Sequence, residues 1–388
     1  MLYIFILFCV SLLSSWWIFR KIHNIAQLKN VVDKPDARKL QKHPVPVLGG
    51  LSVFFGIIVA MVFCQILFGS SSLYSFLGIM AIMLFVGTID DIITLSPMLR
   101  LFIEIIVVIL FVYGTGWSIN DFHGLWGIYQ IPQYFAVPLT VLASVGIINA
   151  VNMIDGVDGL MAGFGIVVSF IFGSFFFRAG DMSMAAMAII AAGALIPFFV
   201  HNVVGQKSKM YLGDGGSLMI GTMLALFVVS ILKKNSLCSL AVGSDFGLVP
   251  FTLAVLSLPV FDTLRVMILR ISERRSPFSP DRQHLHHMFI DLGYSHSGTA
   301  SCIVFLDLLV ILFWWISYKA GASVDIQFVV VVAAGMLNTF GLSLIARKSA
   351  WFNNLLKTIG VRTHMENTCI WRKFRAILDN RFNTNKNN

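Results

Sequence analysis

Acids, asparagines and basic residues gather in five short stretches. Asp90 and Asp91 stand side by side. Asp155 and Asp158 alternate with glycines in Asn149-Ala-Val-Asn152-Met-Ile-Asp155-Gly-Val-Asp158-Gly. Asp214 lies in Tyr211-Leu-Gly213-Asp214-Gly-Gly216-Ser217. Asp262 precedes Arg265 and Arg270, and a loop beginning at Ser276 carries Asp281, Arg282, His284, His286 and His287. Mg²⁺ takes hard oxygen ligands, usually one or two carboxylates plus substrate phosphates. Arg and Lys clamp phosphate oxygens, Arg in bidentate fashion. Phosphoryl transfer needs both, because charge develops on the moving phosphorus and on the leaving group. Glycine beside Asp214 lets a ligand approach the backbone.

Other chemistries fit less well. Asp-Gly-Val-Asp-Gly lacks the order of an EF-hand loop. The spacing of His284, His286 and His287 does not suit one helical face, and no Cys is near, which disfavours zinc. Cys9, Cys64, Cys238, Cys302 and Cys369 are scattered and suggest neither a disulfide framework nor a metal site.

The elements that must hold these residues are apolar. The chain has 388 residues, 57% hydrophobic and 12% charged, and a mean hydropathy of +0.83. A soluble domain carries about 25% charge, so a soluble or disordered chain is excluded. A spanning helix needs roughly 20 mostly apolar residues. Eleven such runs lie near 2–19, 47–68, 72–89, 99–117, 134–152, 160–177, 182–200, 216–232, 246–264, 299–317 and 326–345. The fold class expected is therefore an all-α integral membrane protein of about eleven transmembrane helices.

The net charge of +9 then reads as topology rather than as a nucleic-acid signal. The first run has no basic residues before it, and Arg20 and Lys21 follow it. It reads as an uncleaved signal anchor with its N-terminus outside. Alternation puts Lys and Arg inside as follows: seven at 20–42, Arg100, Lys207 and Lys209, five at 265–282 and nine at 347–386. Only Arg178, Lys233, Lys234 and Lys319 fall outside. A 24-to-4 split obeys the positive-inside rule. It leaves the C-terminus and all five motif stretches on the cytoplasmic side. A site at that depth would join a water-soluble nucleotide to a lipid phosphate. A transporter would instead place its polar residues near the bilayer midplane within repeats, and no repeat is visible.

Two parts are expected: a membrane domain over 1–345 and a basic cytoplasmic tail over 346–388. Trp351, Phe352, Leu355, Leu356 and Ile359, then Ile370, Trp371, Phe374, Ile377 and Leu378, recur at helical spacing with Arg372, Lys373 and Arg375 between them. They predict short amphipathic helices on an anionic leaflet. The final residues, 383–388, are expected to be disordered.

The same stretches resemble the polyprenyl-phosphate N-acetylhexosamine-1-phosphate transferases. The resemblance begins at Asp33-Lys-Pro-Asp-Ala-Arg38-Lys39 and Pro44-Val-Pro-Val-Leu-Gly-Gly50. It runs beyond the His284-Leu-His286-His287 loop, whose His-x-His-His form separates this branch from the muramoyl-pentapeptide one. It implies attack by undecaprenyl phosphate on the sugar-linked phosphorus of UDP-GlcNAc, with UMP leaving and the sugar carbon untouched. It also implies a bacterial inner-membrane enzyme that starts a surface glycan such as O-antigen, enterobacterial common antigen or teichoic acid. Another UDP-N-acetylhexosamine remains an alternative donor.

By the same resemblance, Asp214 and Asn152 would hold Mg²⁺ or Mn²⁺, with Asp90 and Asp91 as further ligands or as the pair that orients the lipid phosphate. Deprotonation of that phosphate contributes little, since its second pKa is near 6. Asp158 would contact uracil and Tyr211 would stack on it. Asp155, Asn149 and Lys209 are further candidates, as is Lys207. Arg265, Arg270, Arg282 and the three histidines would grip the pyrophosphate and the N-acetyl sugar. A homodimer is compatible with the family but required by no motif. The chain departs from the family pattern at Met98, where a Lys is expected, and at Glu104, where a Gln is usual. Glu104 and Asp307 lie inside apolar runs, where an ionisable group is costly and needs a partner or a proton.

Overall fold

A computed structural model describes residues 2–33, 44–68, 72–277, 279, 282–348, 351, 354, 355, 357, 358, 369–380 and 382. Lys34 to Lys39, Asp281, Phe352, Leu356, Ile359 and residues 383–388 lie outside the described residues. The described chain is helical apart from one two-stranded ribbon, β1 (Val32–Asp33) and β2 (Val45–Pro46), paired antiparallel.

The membrane helices in chain order are α1 (Leu2–Leu28), α2 (Gly49–Phe68), α3 (Ser72–Ile93), α4 (Pro97–Thr115), α5 (Gln133–Met153), α6 (Leu160–Arg178), α7 (Met182–Val204) and α8 (Gly213–Leu232). After the short α9 (Leu237–Ala241) come α10 (Leu248–Val255), α11 (Ser257–Ser272), α12 (Leu285–Asp291) and α13 (His296–Lys319). The last span is α14 (Val324–Met336), continued through a π-helical turn into α15 (Leu342–Lys348). Among the described residues ten helices are long and apolar enough to cross a membrane. This is the all-α multi-span architecture that the apolar runs predict.

Two details differ from the runs. Helix α1 continues well past residue 19, because loss of apolarity does not break a helix. It ends at Leu28, and the turn that follows contains Asn30, whose φ is +55°. The ninth run is not one straight span. It divides into α10 and α11, which meet at 76°. The break frees N–H groups at the start of α11, and Asp307 of α13 satisfies one of them together with a neighbouring hydroxyl. It accepts from the Ser257 hydroxyl at 2.8 Å and from Leu258 N–H at 3.0 Å. The acid embedded in the tenth run is therefore a helix cap supplied from a neighbouring helix.

Helix α8 is the axis of the bundle. Every residue from Gly215 to Leu232 is buried, as an apolar helix with no polar face must be. Small residues let its neighbours approach. A Cβ on Gly50 of α2 would stand 2.4 Å from Gly216 Cα, and one on Gly221 would stand 3.0 Å from the Ile148 backbone of α5. Glu104 of α4, also fully buried, accepts a short hydrogen bond from the Asn149 side chain and lies 3.6 Å from Arg100. Both embedded acids thus have partners. The final described helix, α16 (Cys369–Asn380), carries the second of the two apolar patterns in the tail.

Candidate active site

The motif stretches meet at one end of the bundle, where a cavity of about 430 Å³ opens. Three local features build its floor. Gly213 starts α8 with φ +78°, and a Cβ there would sit 2.3 Å from Val47 O. Only glycine fits this turn. Ahead of it, Tyr211 N–H donates to Pro46 O at 2.7 Å, and Gly49 and Gly50 N–H donate to Tyr211 and Leu212 carbonyls at 2.9 Å. The 210–213 segment is thereby laced to β2, whose partner strand carries Asp33. Third, Asp91 at the end of α3 accepts from Asp214 N–H at 3.0 Å and Gly215 N–H at 3.3 Å. A carboxylate here meets the unpaired donors and the positive end of α8.

The adjacent acids part company. Asp91 lines the cavity. Asp90 turns the other way, accepting from Leu95 N–H at 2.6 Å and from Arg100 Nη1 at 3.3 Å. It fixes the α3–α4 turn and is not among the residues lining the cavity.

Asp214 and Asn152 both line the cavity. Asn152 Oδ1 accepts the Ser217 hydroxyl in a short hydrogen bond, and its amide group reaches the Asp214 carboxylate. The Asn152 oxygen has a second lone pair to offer. Asp155 is water-accessible through the cavity mouth, yet the protein around it pushes its pKa up to about 7. Burial is the main cause, followed by the charges of Asp214 and Asp158.

Asp158 is engaged by two side chains. Lys209 Nζ lies 2.6 Å and His296 Nδ1 2.8 Å from its Oδ2. Burial works to raise its pKa, but His296 and Lys209 outweigh that and hold it below the ordinary carboxylate value. The Tyr211 ring stands 5.5 Å from Lys209 Nζ. Burial, then the charges of Asp158, Asp33 and Asp155, push its phenol up, so it stays protonated.

The histidines divide as well. His287 lines the cavity. His286 is buried behind it against Gly156, where a Cβ would come within 2.4 Å of His286 Nε2. Burial, then the neighbouring His287 and His284, bring the His286 pKa down to about 3. It is a neutral packing group rather than a phosphate-binding cation at physiological pH. His284 lies 3.0 Å from Asp262 Oδ2.

Asp262 also accepts from Arg265 Nη2 at 2.7 Å, and that same nitrogen donates to Gln283 O at 2.5 Å. Arg270 Nη1 donates to Pro277 O at 2.6 Å. Both arginines are buried. They fasten the loop after α11 and are absent from the cavity lining. Arg282 is half exposed, 3.8 Å from Asp291. Asn149 faces Glu104 and Val145 O, away from the cavity.

Hard oxygen donors therefore converge from Asp91, Asn152, Asp155 and Asp214. Among the described residues no three of His, Cys, Asp and Glu form a ready-made metal cage. That donor set fits a Mg²⁺ ion that draws part of its shell from water and substrate phosphate.

Comparison with known proteins agrees with the geometry. Residues 73–232 match the model of glycosyl transferase family 4. The undecaprenyl-phosphate alpha-N-acetylglucosaminyl 1-phosphate transferase of Yersinia pestis is 31% identical over 271 residues, 68% of this chain and 71% of the relative. Its namesake from Escherichia coli K12 is 31% identical over 277 residues, 70% and 72% of the two chains. The decaprenyl-phosphate N-acetylglucosaminephosphotransferase of Mycobacterium tuberculosis H37Rv is 30% identical over 328 residues, 79% and 78%.

The chain belongs to the polyprenyl-phosphate N-acetylhexosamine-1-phosphate transferase family. It is a membrane phosphoglycosyl transferase. The stretch matched by the family model holds every acid that lines the cavity except Asp33.

Three cavity-lining residues of the transferase with polar side chains were not among the site residues read from the sequence. His296 arrives 138 positions after Asp158, at the first turn of α13 behind the capping Ser295. Asn202, near the end of α7, accepts Gly159 N–H at 2.6 Å and donates to Met210 O at 3.0 Å. It ties the Asp158 loop to the Tyr211 segment. Asp33 belongs to the first quoted motif, which was a usable signal; His296 and Asn202 have no local pattern that singles them out.

Proposed function

We propose that this transferase moves N-acetylglucosamine-1-phosphate from UDP-GlcNAc to undecaprenyl phosphate. An oxygen of the lipid phosphate bonds to the sugar-linked phosphorus. The bond from that phosphorus to the bridging oxygen breaks, and UMP leaves with the electron pair. The observation that carries the reading is the cavity edged by Asp91, Asn152, Asp155 and Asp214 at one end of the bundle, in a chain whose relatives bear the names just given.

Asp214 and Asn152 would hold Mg²⁺, with Asp91 supporting Asp214 through its backbone. Bound there, the ion supplies charge neutralisation on the pyrophosphate. The protein does the rest by position. Lys209 and His296 fix Asp158. Tyr211 offers the cavity a flat face suited to a base, and His287 a ring nitrogen. The charge distribution supports a cytoplasmic mouth in the inner membrane, where the soluble donor is found. The product would begin a surface glycan.

The test uses membranes, Mg²⁺, undecaprenyl phosphate and radiolabelled UDP-GlcNAc. Label should enter lipid with release of UMP. Release of UDP would mean ordinary glycosyl transfer and would sink the mechanism. Other UDP-N-acetylhexosamines run in parallel fix the donor.

A further inference from the structure

The tail helix α16 makes a contact that the sequence pattern does not suggest. Asp379, in its last turn, is buried. Its carboxylate accepts from three successive backbone N–H groups: Gln206 at 3.3 Å, Lys207 at 3.2 Å and Ser208 at 3.2 Å. The Ser208 hydroxyl donates to it as well, at 3.1 Å. Successive amides turned toward one point form an anion-binding nest, and here the anion belongs to the protein's own tail. One turn earlier, Arg375 Nε donates to Val204 O at 3.0 Å, at the end of α7. Beyond the helix, Phe382 packs edge-on against His23 of α1, with ring centroids 4.9 Å apart.

The turn held in this way leads into the site. Gly205 begins it tightly: a Cβ there would stand 2.2 Å from Ser208 Oγ. The next residues are Lys209, which grips Asp158, and Tyr211, which lines the cavity. The other side of the segment is fixed by Asn202 and β2. Between Val204 and Lys209, the carboxylate of Asp379 gathers the backbone donors.

We infer that Asp379 is a positioning residue for the nucleotide-sugar site. It latches the 205–208 turn so that Lys209 and Tyr211 meet the donor in register. This rests on the donor proposed above. The latch also makes the tail part of the working enzyme rather than a membrane tether alone.

The experiment compares wild type, Asp379→Ala and Asp379→Asn, each purified in detergent as the full chain. Amide hydrogen exchange is read by mass spectrometry without substrate. Asp379→Ala should speed exchange at 206–208 by about tenfold, as loss of a net hydrogen-bond contribution near 1.4 kcal/mol does, and leave α8 unchanged. Steady-state transfer should show the UDP-GlcNAc KM raised about tenfold with kcat within about twofold, the pattern of lost ground-state binding. Asp379→Asn keeps a carbonyl acceptor and should recover most of both effects.

Unchanged exchange at 206–208 overturns the latch. Faster exchange with an unchanged KM overturns its link to the site. Exchange that rises throughout the protein shows a general structural role and overturns it too. Should wild type fail to use UDP-GlcNAc, the donor assignment falls, while the exchange measurement still decides the latch.

Discussion

Two acids in this protein live in opposite circumstances. Asp262 is saturated by its own chain. It receives Arg265 through two nitrogens, His284 through a third, and the Leu285 N–H. Asp214 faces a cavity, with Asn152 beside it and further carboxylates around it. Both sit among residue types suited to phosphate chemistry. The difference lies in where the compensating charge comes from. Around Asp262 the fold supplies it, so the cluster is scaffold. Around Asp214 the fold supplies Asn152 and the charge of Arg100 but also further carboxylates, which leaves room for a cationic ligand. A crowd of acids that its own chain does not fully offset marks a site more reliably than the presence of acids, arginines or histidines.

Substitutions can break this contrast or sharpen it. The largest effect should come from Arg265→Ala. Removing one partner of a buried pair leaves an uncompensated charge, at a cost of about 3–5 kcal/mol. The variant should unfold well below wild type in a detergent thermal melt. A melt within a few degrees of wild type would mean that Asp262 is not matched by Arg265 at all.

Asp214→Ala should behave in the opposite way. Transfer activity should fall by about 10²–10³-fold, as when a group stabilising transition-state charge is removed. The melt should hold or rise, since one of several crowded carboxylates is gone. More than a tenth of wild-type activity would place the decisive charge elsewhere.

A smaller effect tests the contact between the two regions. Gly156 sits against His286. Gly156→Ala should push the ring back and cost about 1–3 kcal/mol through overpacking, visible as a modest drop in melting temperature. Wild-type stability would show that the ring yields freely and that the histidine loop and the Asp155 loop are independent.

The finest probe is pH. The native state holds Asp155 at about 7, above its ordinary value near 4. Between those values the folded protein keeps a proton that the unfolded chain releases. Stability should fall as pH rises through this window. In metal-free buffer Asp155→Asn should reduce that slope, leaving the part contributed by the other cavity carboxylates. It should match wild type near pH 4 and exceed it at pH 8. Parallel curves for the two proteins would contradict the crowding of acids in the cavity.

Much of this was legible from residue order alone. Apolar runs announce themselves because a bilayer demands continuous stretches of them. The bend between α10 and α11 does not, because the Asp307 carboxylate that accommodates it lies far along the chain on another helix. The acid stretches pointed to the cavity, since carboxylates are too scarce here to cluster idly. The basic residues misled more. Arg265 lies three positions after Asp262, one helical turn, which is itself a sign of internal pairing. Arg270 is buried and donates to the Pro277 carbonyl, a backbone contact that residue types cannot foretell. His296 was invisible for the reverse reason: its value lies wholly in a contact made across the fold.

The buried axis of α8 also has a consequence for how the protein is made. A ribosome delivers spans in order, and the partners that wrap this helix at its site end, α2, α3 and α5, all precede it. Gly213, Asp214 and Asp91 can therefore come together once the eighth helix has entered the bilayer. His287, His296 and Asp379 are translated only later. The acidic floor can form early in assembly, and the histidines and the tail join it last.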